Sequence, residues 1–116
     1  MKNCKSAKAK GRRLQNLLRD LLRTAFSFLH EDDIKSQTMG MGGEDVILSP
    51  EARKYIPYSF ECKNVERLNL WEAIDQAKSN CGGRVPIVVI KKNTRNPYAV
   101  IPLEEFISFI KEVNER

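Results

Sequence analysis

Glu61 and Lys63 stand two residues apart in a segment whose neighbours Tyr58, Phe60 and Cys62 are aromatic or apolar. Along an extended strand side chains alternate between faces, so Ser59, Glu61 and Lys63 leave one face and Tyr58, Phe60 and Cys62 the other. Charged groups on such a strand are costly to bury unless they are paired or used. Sixteen residues upstream of Glu61, Asp45 falls in a second strand candidate, Glu44–Leu48. Neighbouring strands lie about 4.8 Å apart, so a hairpin would let Asp45 and Glu61 approach and share one cation. Two carboxylates, completed by water and phosphate oxygens, suit Mg²⁺. Such an ion activates water and offsets charge developing on a phosphate. Lys63 is then available to orient or deprotonate the water, or to stabilise that charge. The plainer alternative is a structural Glu–Lys pair at a strand end.

An acidic-x-Lys triplet alone says little, and Asp33-Ile34-Lys35 is a second one. Asp33 follows a helix end and has no strand carrying an upstream carboxylate; Glu61 has one. The Gly-rich stretch Met39–Gly43 contains neither a Walker lysine nor a GxGxxG set between strand and helix, which argues against nucleotide binding. Its glycines either let backbone approach a ligand beside Asp45 or make a plain turn. His30, the single histidine, reads as a solvated helix end. Trp71 is expected to be partly buried, with base stacking or a dimer contact as alternatives. Arg84, Lys91, Lys92 and Arg95 either extend an anion-binding surface or are simply solvated.

The elements that must hold these groups follow from periodicity. Leu14, Leu17, Leu18, Leu21, Leu22, Ala25 and Leu29 recur at helical spacing and predict a helix over 9–29, with Arg12, Gln15, Asn16, Arg19 and Arg23 on its polar side. Strands are predicted at Ile34–Thr38, Glu44–Leu48 and Tyr58–Lys63, with a turn or short helical turn from Ser49-Pro50 to Lys54. A helix over 69–80 turns Leu70, Ala73, Ile74 and Ala77 inward and ends at Gly82-Gly83. Strands Pro86–Lys91 and Tyr98–Ile101 flank the turn Asn93–Pro97. A last helix over 103–114 is expected to bury Phe106, Ile107 and Ile110. This α-β-β-β-α-β-β-α order implies an α/β or α+β domain, one sheet with helices packed on it.

Among 116 residues, the first 23 carry eight Lys or Arg against Asp20 alone, a net +7 within an overall +5. A cationic arm at 1–8 on a nearly neutral domain at 9–116 suits a polyanion such as nucleic acid, although it also serves solubility. Three cysteines without CxxC spacing argue against a zinc site or disulfide scaffold. With no apolar run of membrane-spanning length and no signal-peptide pattern, a cytoplasmic protein without a membrane partner is expected.

The helix with Gly11-Arg12-Arg13-Leu14-Gln15, the segment Gly42-Gly43-Glu44-Asp45-Val46-Ile47, the triplet Glu61-Cys62-Lys63 and the following helix with Gln76 together resemble the PD-(D/E)XK nuclease superfamily. Within it, the chain is similar to small phage-type endonucleases and archaeal-type Holliday junction resolvases. The likeness spans roughly residues 8–102. It implies a restriction-endonuclease-like core with a mixed central sheet, and Mg²⁺-dependent hydrolysis of DNA phosphodiesters, with Mn²⁺ able to substitute and no small-molecule cofactor. Asp45 and Glu61 take the ligand positions and Lys63 the catalytic lysine position. Gln76 and Gln15 take auxiliary positions in the site. Lys8, Lys10, Arg12, Arg13 and Arg19 are expected to meet DNA. A homodimer acting on duplex or branched DNA is implied, with a phage-encoded enzyme working in a host cell as one setting the resemblance suggests. Glu44 replaces the family's usual proline, and Gln15 replaces the first-helix acid of many members. The alternative is a nucleic-acid-binding protein that keeps this fold without catalysis.

Overall fold

The helical spacing near the start of the chain is realised as α1, Cys4–Ala25, in a computed structural model that describes residues 4–38 and 40–116. The flexible arm expected at 1–8 is corrected from residue 4 onward: 4–8 continue α1, while 1–3 lie outside the described residues. The helix also ends before the expected Leu29. Phe26 and Leu29 still pack on the core, and Phe28 sets its ring edge-on to Tyr55 at 4.9 Å. Tertiary packing rather than helical continuation holds that segment.

Facing of α1 differs from expectation too. Leu14, Leu18 and Leu22 point inward, but Leu17 and Leu21 are exposed. The predicted polar side turns partly into the domain: Gln15 is buried, Asn16 Oδ1 accepts from Ser36 Oγ at 2.8 Å, and Arg23 Nε donates to the Ile34 carbonyl at 2.9 Å. Asn16 and Arg23 can lie along this seam because hydroxyl and backbone partners satisfy them there.

His30 then caps a single 3₁₀ turn at Glu31–Asp33, its Nδ1 accepting from the Asp32 N–H while its own N–H donates to Asp33. Asp33 also accepts from the Ser49 hydroxyl at 2.6 Å, so this acid of the second acidic-x-Lys triplet serves the turn. Strands β1, Ile34–Ser36, and β2, Val46–Leu48, pair antiparallel as a two-stranded sheet. Ser49 caps α2, Pro50–Arg53, through its hydroxyl.

A second, mixed sheet of three strands runs in the order β3 (Tyr58–Asn64), β4 (Val85–Lys91), β5 (Tyr98–Val100). β3 and β4 are parallel, and β5 is antiparallel to β4. The crossover is α3, Leu70–Asn80, capped by the Asn69 side chain and ended at Gly82-Gly83, both at positive φ. The single central sheet expected from sequence is therefore two sheets. They meet where the Asp45 N–H donates to the Phe60 carbonyl at 2.9 Å, in place of a β2–β3 hairpin.

The strand alternation places the two faces as predicted. Phe60, Cys62, Ile87 and Val89 pack with Leu14, Ile34, Val46 and Leu48 beneath α1, whereas Ala73 and Ala77 of α3 pack on Val88, beside Ile90 and Val100. The last helix, α4 at Leu103–Asn114, departs from prediction. None of its residues is buried, and Phe106, Ile107 and Ile110 are exposed. Its amphipathic pattern is real, but no part of the described domain covers its apolar face. Among the described residues, no helix is long and apolar enough to cross a membrane.

Candidate active site

Asp45 lies one residue ahead of β2 rather than within it, and three hydrogen bonds pin it between the sheets. Its N–H donates to the Phe60 carbonyl, its carbonyl accepts from the Gln37 N–H at 2.8 Å, and its Oδ2 accepts from the Cys62 N–H at 2.6 Å. Gly43, at φ +94°, supplies the left-handed turn that brings the chain into this position. The Cys62 amide thus holds the Asp45 carboxylate against the middle of β3, next to Glu61.

Glu61 is 4% exposed. Its Oε1 accepts from Asn80 Nδ2 at 3.2 Å, and its Oε2 lies 3.8 Å from the Lys63 ammonium. Lys63 keeps about a quarter of its side chain in solvent, so its ammonium bridges the buried acid and the surface. Burial raises the pKa of Asp45, an effect opposed by the Cys62 N–H and by Lys63. Burial also raises that of Glu61, and the negative charge of Asp45 adds to the rise. Two neighbouring acids of this kind are relieved either by a shared proton or by a cation. Burial, with both carboxylates, pushes the Cys62 thiol up as well, which makes it inert as a nucleophile.

This donor set fits Mg²⁺. Hard carboxylate oxygens are what the ion prefers, and it commonly takes only one or two protein carboxylates while keeping several waters. Asp45 and Glu61 are the carboxylates that would hold the ion.

The structure thus brings together Asp45, Glu61 and Lys63. Gln76 lies on the exposed side of α3, and Asn80, one turn further on, is the amide that reaches Glu61. Its i, i+4 relation to Gln76 was visible in the sequence, but which amide faces β3 depends on how α3 is rotated. Gln15 is buried, its Oε1 has no hydrogen-bond partner among the described residues, and it makes no hydrogen bond to the three central groups. It is carried on α1, across the sheet from the face that Glu61 and Lys63 occupy.

The basic residues divide. Lys8, Arg12 and Arg13 are exposed on α1. Arg19 is half-buried and donates to Asp20 and Asn16. Lys10 is corrected: only 5% exposed, it donates to Glu66 at 3.1 Å, while its carbonyl accepts from Asn64 Nδ2. A buried ammonium in an ion pair holds α1 to the end of β3 and does not present charge to a ligand. Arg84 is likewise structural, donating to the Tyr58 carbonyl and pairing with Glu44, which Arg53 also approaches at 3.7 Å. Glu44 is thus a buried carboxylate held by two guanidinium groups. Trp71 is 76% exposed, which corrects the expected partial burial.

Comparison with family models, characterised proteins and solved structures yields no match to this chain.

Proposed function

We propose that the chain is a Mg²⁺-dependent DNA endonuclease with a restriction-endonuclease-like core. One observation carries the reading. Asp45 and Glu61 converge from separate parts of the chain, both desolvated and both hard to ionise, with Lys63 beside them. A binding module has no use for paired carboxylates facing a polyanion, whereas a hydrolase does. The exposed Lys8, Arg12 and Arg13 supply positive charge for the phosphate backbone.

Hydrolysis joins a water oxygen to phosphorus, breaks one P–O ester bond and protonates the departing oxygen. Mg²⁺, or Mn²⁺ in its place, supplies Lewis acidity when bound at the carboxylate pair. The Cys62 N–H fixes Asp45, Asn80 orients Glu61, and the Lys63 ammonium orients water and offsets charge on the phosphate. Branched DNA is the proposed preferred substrate, on the strength of the family resemblance.

A second copy of the chain is the proposed partner. The face of α4 bearing Leu103, Phe106, Ile107, Phe109, Ile110 and Val113 is exposed, and its first residue, Leu103, lines a groove together with Trp71. Covering it reciprocally would remove on the order of 1,200 Å² from water, the lower end of the range for stable dimers. Each α4 would then fill the groove that Ile74, Val88 and Val100 line on its partner.

The function is tested by incubating purified protein with linear, forked and four-way DNA in Mg²⁺, Mn²⁺ or EDTA. Cleavage is expected with either metal and not in EDTA. It should fall at least about a hundredfold in Lys63→Ala, the scale of losing one group that stabilises transition-state charge. Undiminished cleavage by Lys63→Ala would remove the assignment, and binding without cleavage would leave a non-catalytic nucleic-acid-binding protein.

A further inference from the structure

A pocket of about 510 Å³ opens where the chain leaves the parallel strands β3 and β4. The carboxyl ends of parallel strands are where open α/β sheets place ligands, because the connecting loops diverge there. The wall is apolar, made by Leu68 before α3, Leu70 at its first position and Ile90 of β4, all half-buried. The rim is cationic: Arg67, Lys92 and Arg95 are exposed, and Lys91 is half-buried. Tyr98, 68% exposed, offers a ring at the edge.

Charge at this pocket is not cancelled locally. Glu66, the single acid of its lining, accepts both the Lys10 ammonium at 3.1 Å and the Asn93 N–H at 2.8 Å. Those bonds tie the β3 exit loop to α1 and to the loop after β4. The Lys91 ammonium donates to the Lys92 carbonyl at 3.1 Å, and Arg67, Lys92 and Arg95 face solvent. Thr94, at φ +65°, turns the second loop sharply, and the Arg95 N–H closes it on the Lys92 carbonyl at 3.2 Å. Lys92 and Arg95 therefore emerge from one fixed turn.

β3 runs from the carboxylate pair towards the pocket. Glu61, Lys63 and Val65 are alternate residues, so they follow one another along the same face, and Val65 lines the pocket. From Glu61 to Val65 is about 13 Å of extended chain. One nucleic-acid strand can engage both places.

We infer that this pocket holds one unpaired nucleotide of the strand bound at Asp45 and Glu61. Its phosphate lies on Lys91, Lys92 and Arg95, and its base lies against Tyr98 and the Leu68–Leu70–Ile90 wall. Cations alone would suit any phosphate backbone, but an apolar wall beside an aromatic ring rewards only a base whose face is free. Bases in a continuous duplex keep their faces stacked. Single-stranded tails, gaps and branch points offer free ones. The inference rests on the reading of the chain as a DNA-binding nuclease and defines which DNA it prefers.

The test is fluorescence anisotropy on the full chain in EDTA, with a labelled deoxythymidine oligomer and a blunt duplex as probes. Tyr98→Ala should lower affinity for the oligomer about tenfold more than for the duplex, and Tyr98→Phe should restore it. Lys92→Ala and Arg95→Ala, both on an exposed turn, should each reduce the salt slope for the oligomer by about 0.7. Equal losses on both probes, or none on either, would overturn the pocket. Cleavage of a tailed duplex in Mg²⁺, read from the same preparations, separates the two proposals. Wild type that fails to cleave while oligomer binding still depends on Tyr98 ends the nuclease reading and upholds the pocket. Wild type that cleaves while oligomer binding ignores Tyr98 does the opposite.

Discussion

Asn80 and Glu61, on the last turn of α3 and the middle of β3, are joined by one hydrogen bond, Nδ2 to Oε1 at 3.2 Å. That bond opposes the rise that burial imposes on the Glu61 pKa. It also fixes the carboxylate orientation relative to Asp45. Groups that hold a metal ligand in place commonly contribute ten- to a hundredfold in metal affinity (about that range). Asn80→Ala should therefore weaken Mg²⁺ binding, measured by calorimetry, by roughly tenfold or more. Gln76→Ala, exposed one turn earlier, should leave it nearly unchanged. Equal effects from both variants would show that α3 does not position Glu61 through Asn80.

Glu44 gives a prediction about the fold alone. Its carboxylate is 9% exposed and paired with Arg84 and Arg53. Removing one partner of a buried pair leaves an uncompensated charge and costs about 3–5 kcal/mol. Arg53 keeps part of that charge balanced, so Arg84→Ala should destabilise by about 3 kcal/mol in urea unfolding, at the lower end of that range. Arg53→Ala, at a more exposed position, should cost less than about 1 kcal/mol. Replacing both Glu44 and Arg84 by apolar residues should recover most of the loss.

Much of this arrangement was legible in the sequence because it depends on local periodicity. The β3 alternation puts Glu61 and Lys63 on one face and Phe60 and Cys62 in the core, as predicted. The α3 span, within one residue, and its inward residues also followed from spacing and from Gly82-Gly83 as the stop, whereas Asn69 proved to be the cap rather than the first helical residue. What sequence could not fix were long-range choices. Asp45 reaches Glu61 through a single junction between two sheets, because β2 pairs with β1 and not with β3. The rotation of α1 buries Lys10, for which Glu66 and Asn64 are partners, turns Asn16 to Ser36, buries Gln15, and exposes Leu17 and Leu21. For α4 the period predicted an apolar face correctly, but a period does not say what that face meets.

The pH dependence of stability follows from the raised pKa values of Asp45 and Glu61, whose usual values are 3.8 and 4.5. Between those values and the raised ones, the folded protein binds more protons than the unfolded chain, so stability falls as pH rises. The contribution of the pair is thus most favourable below the unfolded values and is lost as pH climbs through the folded ones. Without divalent cations, Asp45→Asn should melt no lower than wild type at neutral pH, and any advantage should close as pH falls to about 4. A melt series in EDTA across that range checks this. An Asp45→Asn deficit that grows with pH would show that Asp45 is stabilised, and not strained, as a carboxylate.

The most direct test of the paired-carboxylate account is the Mg²⁺-induced shift in melting temperature, compared between wild type and Asp45→Asn. A cation that binds only the folded state adds RT ln(1 + [L]/Kd) to stability. For an assumed Kd of about 1 mM, Mg²⁺ at about 10 mM contributes roughly 1.4 kcal/mol. In a domain of this size that is a rise on the order of 5 °C. Wild type should show this rise, and Asp45→Asn should show almost none. Equal shifts in the two proteins would contradict the account, because Asp45 would then not be part of any Mg²⁺ site.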